Sequence, residues 1–176
     1  DRFSSFNVLL HETAHGVHFL GLNPEERLLN YGISGIVAEG FANYFGSLSY
    51  SKEFITQVFG RDSQDKLKPF EDLRRFNDFM QLSAVAKTLF DHELYRAPLK
   101  TNEDICALRV KMGKELLDQS SYEGEVPWAF LIHHTVAPIY LHNYFLGDVM
   151  TANMKKAFKK QSGSDADASP KRFGRF

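Results

Sequence analysis

A mainly α-helical fold follows from three features of the chain. Apolar residues recur at three- and four-residue intervals over long stretches, most clearly from Glu71 to His92 and from Asn102 to Leu117. Residues that start and stop helices flank these stretches. The strict alternation of a half-buried strand has little claim anywhere.

Taken in order, the first helix runs from Phe6 to about Leu20. Its apolar residues Phe6, Leu9, Leu10, Ala14, Val17 and Phe19 leave His11 and His15 on a narrow stripe, and Gly21 and Pro24 end it. After the polar turn NPEERLL and a break at Gly32, the run ISGIVAEGFANYFGSLSY predicts a second helix. Its Gly35, Gly40 and Gly46 lower intrinsic helix propensity but permit close approach of a neighbouring backbone, so packing has to hold it. Ser51 to Phe59 predicts a short helix broken near Gly60. Glu71 to His92 presents Leu73, Phe76, Phe79, Met80, Leu82, Val85, Leu89 and Phe90 as a buried face. Asn102 to Leu117 follows, capped by Thr101 or Asn102. Gly124 and Pro127 mark a turn. Trp128 to Met154 is again apolar and aromatic, with Pro138 at a kink or a helix start. Beyond about Lys160 the run SGSDADASP predicts a flexible tail. The expected organisation is one domain over residues 1–160 and a tail over 161–176.

Composition narrows the function. The 176 residues are 43% hydrophobic and 24% charged, a globular profile with enough chain for one sizeable core. The 21 basic and 22 acidic side chains leave a net charge of -1, which speaks against a nucleic-acid binder. No apolar run approaches the length of a membrane span. Cys106 is alone, which excludes an intrachain disulfide and a Cys-based zinc site, and points to a reducing, cytoplasmic setting. The chain opens at Asp1, ten residues before its main motif, so either a leader has been removed or this is the C-terminal part of a larger protein, the reading we favour.

That motif is His11-Glu12-Thr13-Ala14-His15. On a helix, residues four apart share a face, so both imidazoles can reach one ion. Glu12 then lies near the ion without binding it and can take a proton from a metal-bound water. Two histidines at this spacing are often unconnected helix residues. Glu12 argues otherwise, because an unpaired carboxylate among apolar neighbours would cost several kcal/mol, roughly. Glu39 is the expected third ligand. It stands 24 residues after His15, amid apolar and small side chains, and two imidazoles plus one carboxylate leave a fourth position on zinc for water. Glu25 and Glu26 sit too near an exposed turn to compete. Gly40 is expected to let this helix approach the His-Glu helix. Asn43, one turn after Glu39, either orients a ligand histidine or faces solvent. His18 is second to the cluster, a cleft residue or a core-edge histidine.

With HETAH and EGFAN in place, the chain resembles the gluzincin zinc metallopeptidases, which combine HExxH with a downstream glutamate. Within them it is most similar to the helical oligopeptidase group that includes the angiotensin-converting enzyme-like and thimet-oligopeptidase-like families. The resemblance covers residues 6 to 50 and 127 to 150. It implies a zincin-like helical catalytic domain, a protease acting on peptide or oligopeptide substrates, zinc held by His11, His15 and Glu39, and Glu12 as general base. The segment HHTVAPIYLHNYFLGDVM resembles the late region in which such peptidases steady the tetrahedral intermediate. His134 and Tyr144, ten apart, take that role, with Tyr140 as an alternative phenol. Attack on a peptide carbonyl creates an oxyanion, and neutral donors beside the metal stabilise it. The chain departs from the pattern at Ala14, where thimet-like enzymes favour glycine, and at Asn43, where some relatives carry Asp. Full-length relatives are several times longer and build the opposite channel wall from their N-terminal part, so that missing part is an expected partner. The alternative is a degenerate peptidase-like zinc-binding domain with a structural or binding role.

Overall fold

The computed structural model describes residues 2–22, 25, 33–60, 68–99, 101–118 and 128–176. Seven α-helices lie among them: α1 (Arg2–Leu20), α2 (Gly35–Leu48), α3 (Lys52–Phe59), α4 (Lys68–Arg96), α5 (Asn102–Leu117), α6 (His142–Ser162) and α7 (Pro170–Phe173). Two 3-10 turns, Trp128–Phe130 and Ile132–His134, precede α6. No strand occurs among the described residues, so the chain is mainly α. No helix among them is long and apolar enough to cross a membrane. The expected breaks at Pro24, Gly32, Gly124 and Pro127 lie outside the described residues.

Helix boundaries follow local chemistry where a cap is present. Ser51 caps α3 by accepting a hydrogen bond from the Phe54 amide at 3.2 Å, and Gly60 ends it at φ 86°, in the region that favours glycine. Thr101 and Asp104 form a reciprocal capping box at the start of α5. Helix α4 exceeds its expected bounds at both ends. The stretch from Trp128 differs more. It is 3-10 turns and bends up to Tyr140, with Ile139 at φ 58°, and regular helix begins only at His142. Pro138 lies ahead of that helix, as a start and not an internal kink.

The chain divides into two compact units. Unit 1 comprises Asp1–Asn77 and Leu146–Phe176. Its core gathers Tyr44, Leu48, Phe158, Ala166 and Phe173, with Phe45 and Phe54 packed against them. The Phe173 ring lies 4.7 Å from Tyr44 and 5.3 Å from Phe158, centroid to centroid. Tyr44 Oη donates to the Ala166 carbonyl at 3.3 Å, and Lys155 pairs with Asp167 at 3.0 Å. The expected flexible tail of 161–176 is therefore corrected: its first residues finish α6, and its remainder returns Ala166 and Phe173 to the core. Two aromatic rings outweigh the polar composition between them.

Unit 2 spans Asp78–Phe145. Phe90 is fully buried there, with Ala86, Cys106, Met112 and Leu141 also buried. The Arg109 guanidinium stacks over the Phe90 ring. The apolar face expected on α4 is buried only in part: Phe79 and Leu82 are 58% and 61% exposed. Helix α1 departs similarly, since Leu9, Val17 and Phe19 are exposed. Its packed stripe is Asn7, His11, Ala14 and His15, which turns the metal motif towards α2.

Candidate metal centre

The site is built by α1 and α2. Asn7 Nδ2 donates to the Gly46 carbonyl at 2.8 Å and to Ser49 Oγ at 3.0 Å, fastening one end of the pair. Ala14 is fully buried. A Cβ placed on Gly46 would stand 3.6 Å from His11 Cβ and 3.5 Å from Asn7 Nδ2. Gly46, and not Gly40 as expected, is the α2 glycine that faces the His-Glu helix, at ordinary contact distance. Gly40 faces α6 instead: a Cβ there would fall 2.7 Å from the Gly147 carbonyl oxygen and 3.0 Å from Gly147 Cα. Thr151 Oγ1 closes this second crossing by donating to the Gly40 carbonyl at 2.7 Å. Helix α2 is thus held from both sides by glycine contacts, with Glu39 between them.

These crossings bring the three expected ligands together. Glu39 Oε2 lies 3.4 Å from His11 Nε2 and 3.7 Å from His15 Nε2. One donor atom from each of the three residues falls within 4.8 Å of the others. The imidazoles meet edge to face, 4.9 Å between centroids. Glu39 is buried, while His11 and His15 keep about a fifth of their side chains exposed, at 19% and 22%. Four-coordinate zinc with bonds of about 2.0–2.2 Å separates its ligand atoms by about 3.3–3.6 Å. The two imidazole–carboxylate distances lie close to that range, and two imidazoles with one carboxylate suit zinc chemically. The cluster can coordinate a metal ion.

Around this cluster the expectations divide. Glu12 is exposed on α1. The argument from a buried carboxylate therefore belongs to Glu39, and Glu12 has the solvent access that proton exchange requires. Glu25 is exposed, and Glu26 lies outside the described residues. His18 stacks at 5.4 Å on Phe41 of α2, which makes it a core-edge ring. Asn43 Nδ2 donates to Asp148 Oδ1 at 2.8 Å, so its amide faces α6 and not open solvent. Asp148 had no place in the sequence reading. Its only signal was a lone acid after Gly147 in an apolar stretch.

His134 and Tyr144 both belong to unit 2 and face different neighbours. His134 is 2% exposed, its Nδ1 lies 3.1 Å from Asp91 Oδ1, and its carbonyl accepts from Tyr95 Oη at 2.9 Å. Burial pulls its imidazole below the ordinary histidine range, against the opposing pull of Asp91. Tyr144 Oη instead lies 3.2 Å from His133 Nε2. The His133 ring also stacks with Tyr140, whose ring meets Tyr144 at 5.8 Å. The structure gathers Tyr140, Tyr144 and His133 and leaves His134 outside that group. Adjacent residues in a 3-10 turn point apart, so the ten-residue spacing could not choose between the two histidines.

No family model matches the chain, and no curated protein or solved structure matches it.

Proposed function

We propose that this chain is the zinc-bearing catalytic part of a gluzincin-type peptidase and acts on peptide or oligopeptide substrates. One observation carries the reading: the donor atoms of His11, His15 and Glu39 converge within 4.8 Å, and Glu12 adjoins the first of them on the same helix. When bound, zinc polarises the scissile carbonyl and acidifies water. His11, His15 and Glu39 hold the ion. Glu12 accepts the proton of the attacking water and returns it to the leaving amine.

A second reading, a degenerate peptidase-like domain that binds zinc without turnover, draws on the burial of His134 against Asp91. Zinc content and hydrolysis of a mixed peptide library, compared between the parent chain and Glu12→Gln, separate the two. Stoichiometric zinc in both with cleavage only by the parent supports the peptidase. Stoichiometric zinc with no cleavage by either leaves the second reading standing.

A further inference from the structure

The Asn43–Asp148 pair lies beside the ligand helix and is not needed to close the metal cluster. Asn43 follows Glu39 by one turn of α2, and Asp148 follows Gly147 on α6. The crossing of Gly40 on Gly147 brings these two positions together across 105 residues of sequence, and the amide–carboxylate bond is short, at 2.8 Å. A partly buried carboxylate is costly to keep on a helix interface when glycine and threonine contacts already hold the crossing. Its surroundings are specific. Burial raises the Asp148 carboxyl above the usual range, while the Asn43 bond and the charges of His11 and Lys155 oppose that rise. Lys155 is itself paired with Asp167 at 3.0 Å.

With one Nδ2 hydrogen bonded to Asp148, the Asn43 amide has a fixed orientation, its oxygen an acceptor and its second Nδ2 hydrogen a donor. A carboxylate behind an amide polarises it and strengthens that oxygen. We propose that Asp148 is a positioning residue for the metal centre, acting through Asn43 to orient the ligand helix that carries Glu39. The proposal rests on the zinc reading above. It assigns to a residue of α6 an outer support for the metal centre.

The test uses the whole chain, with zinc affinity read by competition against a chromophoric chelator and the ligand field read from the visible spectrum of the cobalt-substituted protein. Asp148→Asn preserves shape and removes the charge. It is expected to weaken zinc binding by about 10-fold or more and to shift the cobalt bands. Asn43→Ala, which cuts the link and leaves Asp148 in place, is expected to give a similar loss. The exchanged pair Asn43→Asp with Asp148→Asn restores a carboxylate–amide bond and should recover most of the affinity. A folded Asp148→Asn chain with parent affinity and an unchanged cobalt spectrum overturns the proposal, as does parent affinity in Asn43→Ala. Loss without recovery in the exchanged pair reduces Asp148 to a helix-packing residue. A parent chain that binds no stoichiometric zinc removes the metal reading itself, a different outcome from any of these.

Discussion

Replacing Gly147 by alanine probes the contact that fixes Glu39 from behind. The new Cβ would stand 2.6 Å from the Gly40 nitrogen and 2.8 Å from its Cα, with the Ile36 carbonyl oxygen at 3.0 Å. The shortest of these is about 0.8 Å inside ordinary contact distance. All three neighbours are backbone, so no side chain can turn aside, and α2 and α6 have to separate. Overpacking of this kind costs about 1–3 kcal/mol, against a helix-propensity gain of about 0.8–1.0 kcal/mol for Gly→Ala. The net loss should be about 0–2 kcal/mol, and each kcal/mol lowers the melting temperature of a chain this size by about 2–4 °C. Because Gly40 adjoins Glu39, zinc affinity should fall as well. Gly16→Ala is the matched control: a Cβ there meets no described atom within 4 Å, so the propensity gain stands alone and the chain should be stabilised by about 0.8–1.0 kcal/mol. Thermal and urea unfolding of both variants gives the comparison. If Gly147→Ala proves as stable as Gly16→Ala, the helix crossing described for α2 and α6 is wrong.

Phe173→Ala should cost about 3–5 kcal/mol, because its ring fills the space between Tyr44 and Phe158. Loss of less than about 1 kcal/mol in urea unfolding would return residues 163–176 to the status of a loose tail. His134 gives a pH effect of defined sign. Its folded-state affinity for a proton is lowered by burial, so the unfolded chain takes up the proton first. The stabilisation is complete above the ordinary histidine value of about 6.5 and is lost as pH falls below it towards the depressed folded value. Unfolding free energies from pH 8 to 5 should decline over that interval in the parent and decline less in His134→Gln; equal slopes would contradict the assignment.

Much of the metal cluster was legible because it depends on short-range rules. The four-residue interval of His11 and His15 is a helix property, and Glu39 stood out as a lone acid in an apolar helix. The end of α3 at Gly60 and the Thr101 cap of α5 were legible for the same reason. The failures are failures of partner assignment. Gly40 and Gly46 are equivalent in sequence, and only the packed helices reveal that Gly46 meets α1 and Gly40 meets Gly147. The apolar stripe of α4 announced a helix correctly, yet periodicity does not name what covers it, and Phe79 and Leu82 stay exposed. From Trp128 to Met154 the apolar and aromatic content with Pro138 left a kink and a helix start open, and it did not announce the 3-10 turns or the left-handed Ile139 that precede the helix at His142. Asp148 was invisible because its partner lies 105 residues away.

Zinc titration of the metal-stripped chain, alongside Glu39→Gln and Glu25→Gln, tests the metal centre most directly. The account predicts one ion per chain in the parent and in Glu25→Gln. It predicts a loss of affinity in Glu39→Gln larger than the about 10–100-fold that removal of an outer partner causes. A parent chain without stoichiometric zinc, or Glu39→Gln binding as tightly as the parent, would contradict it.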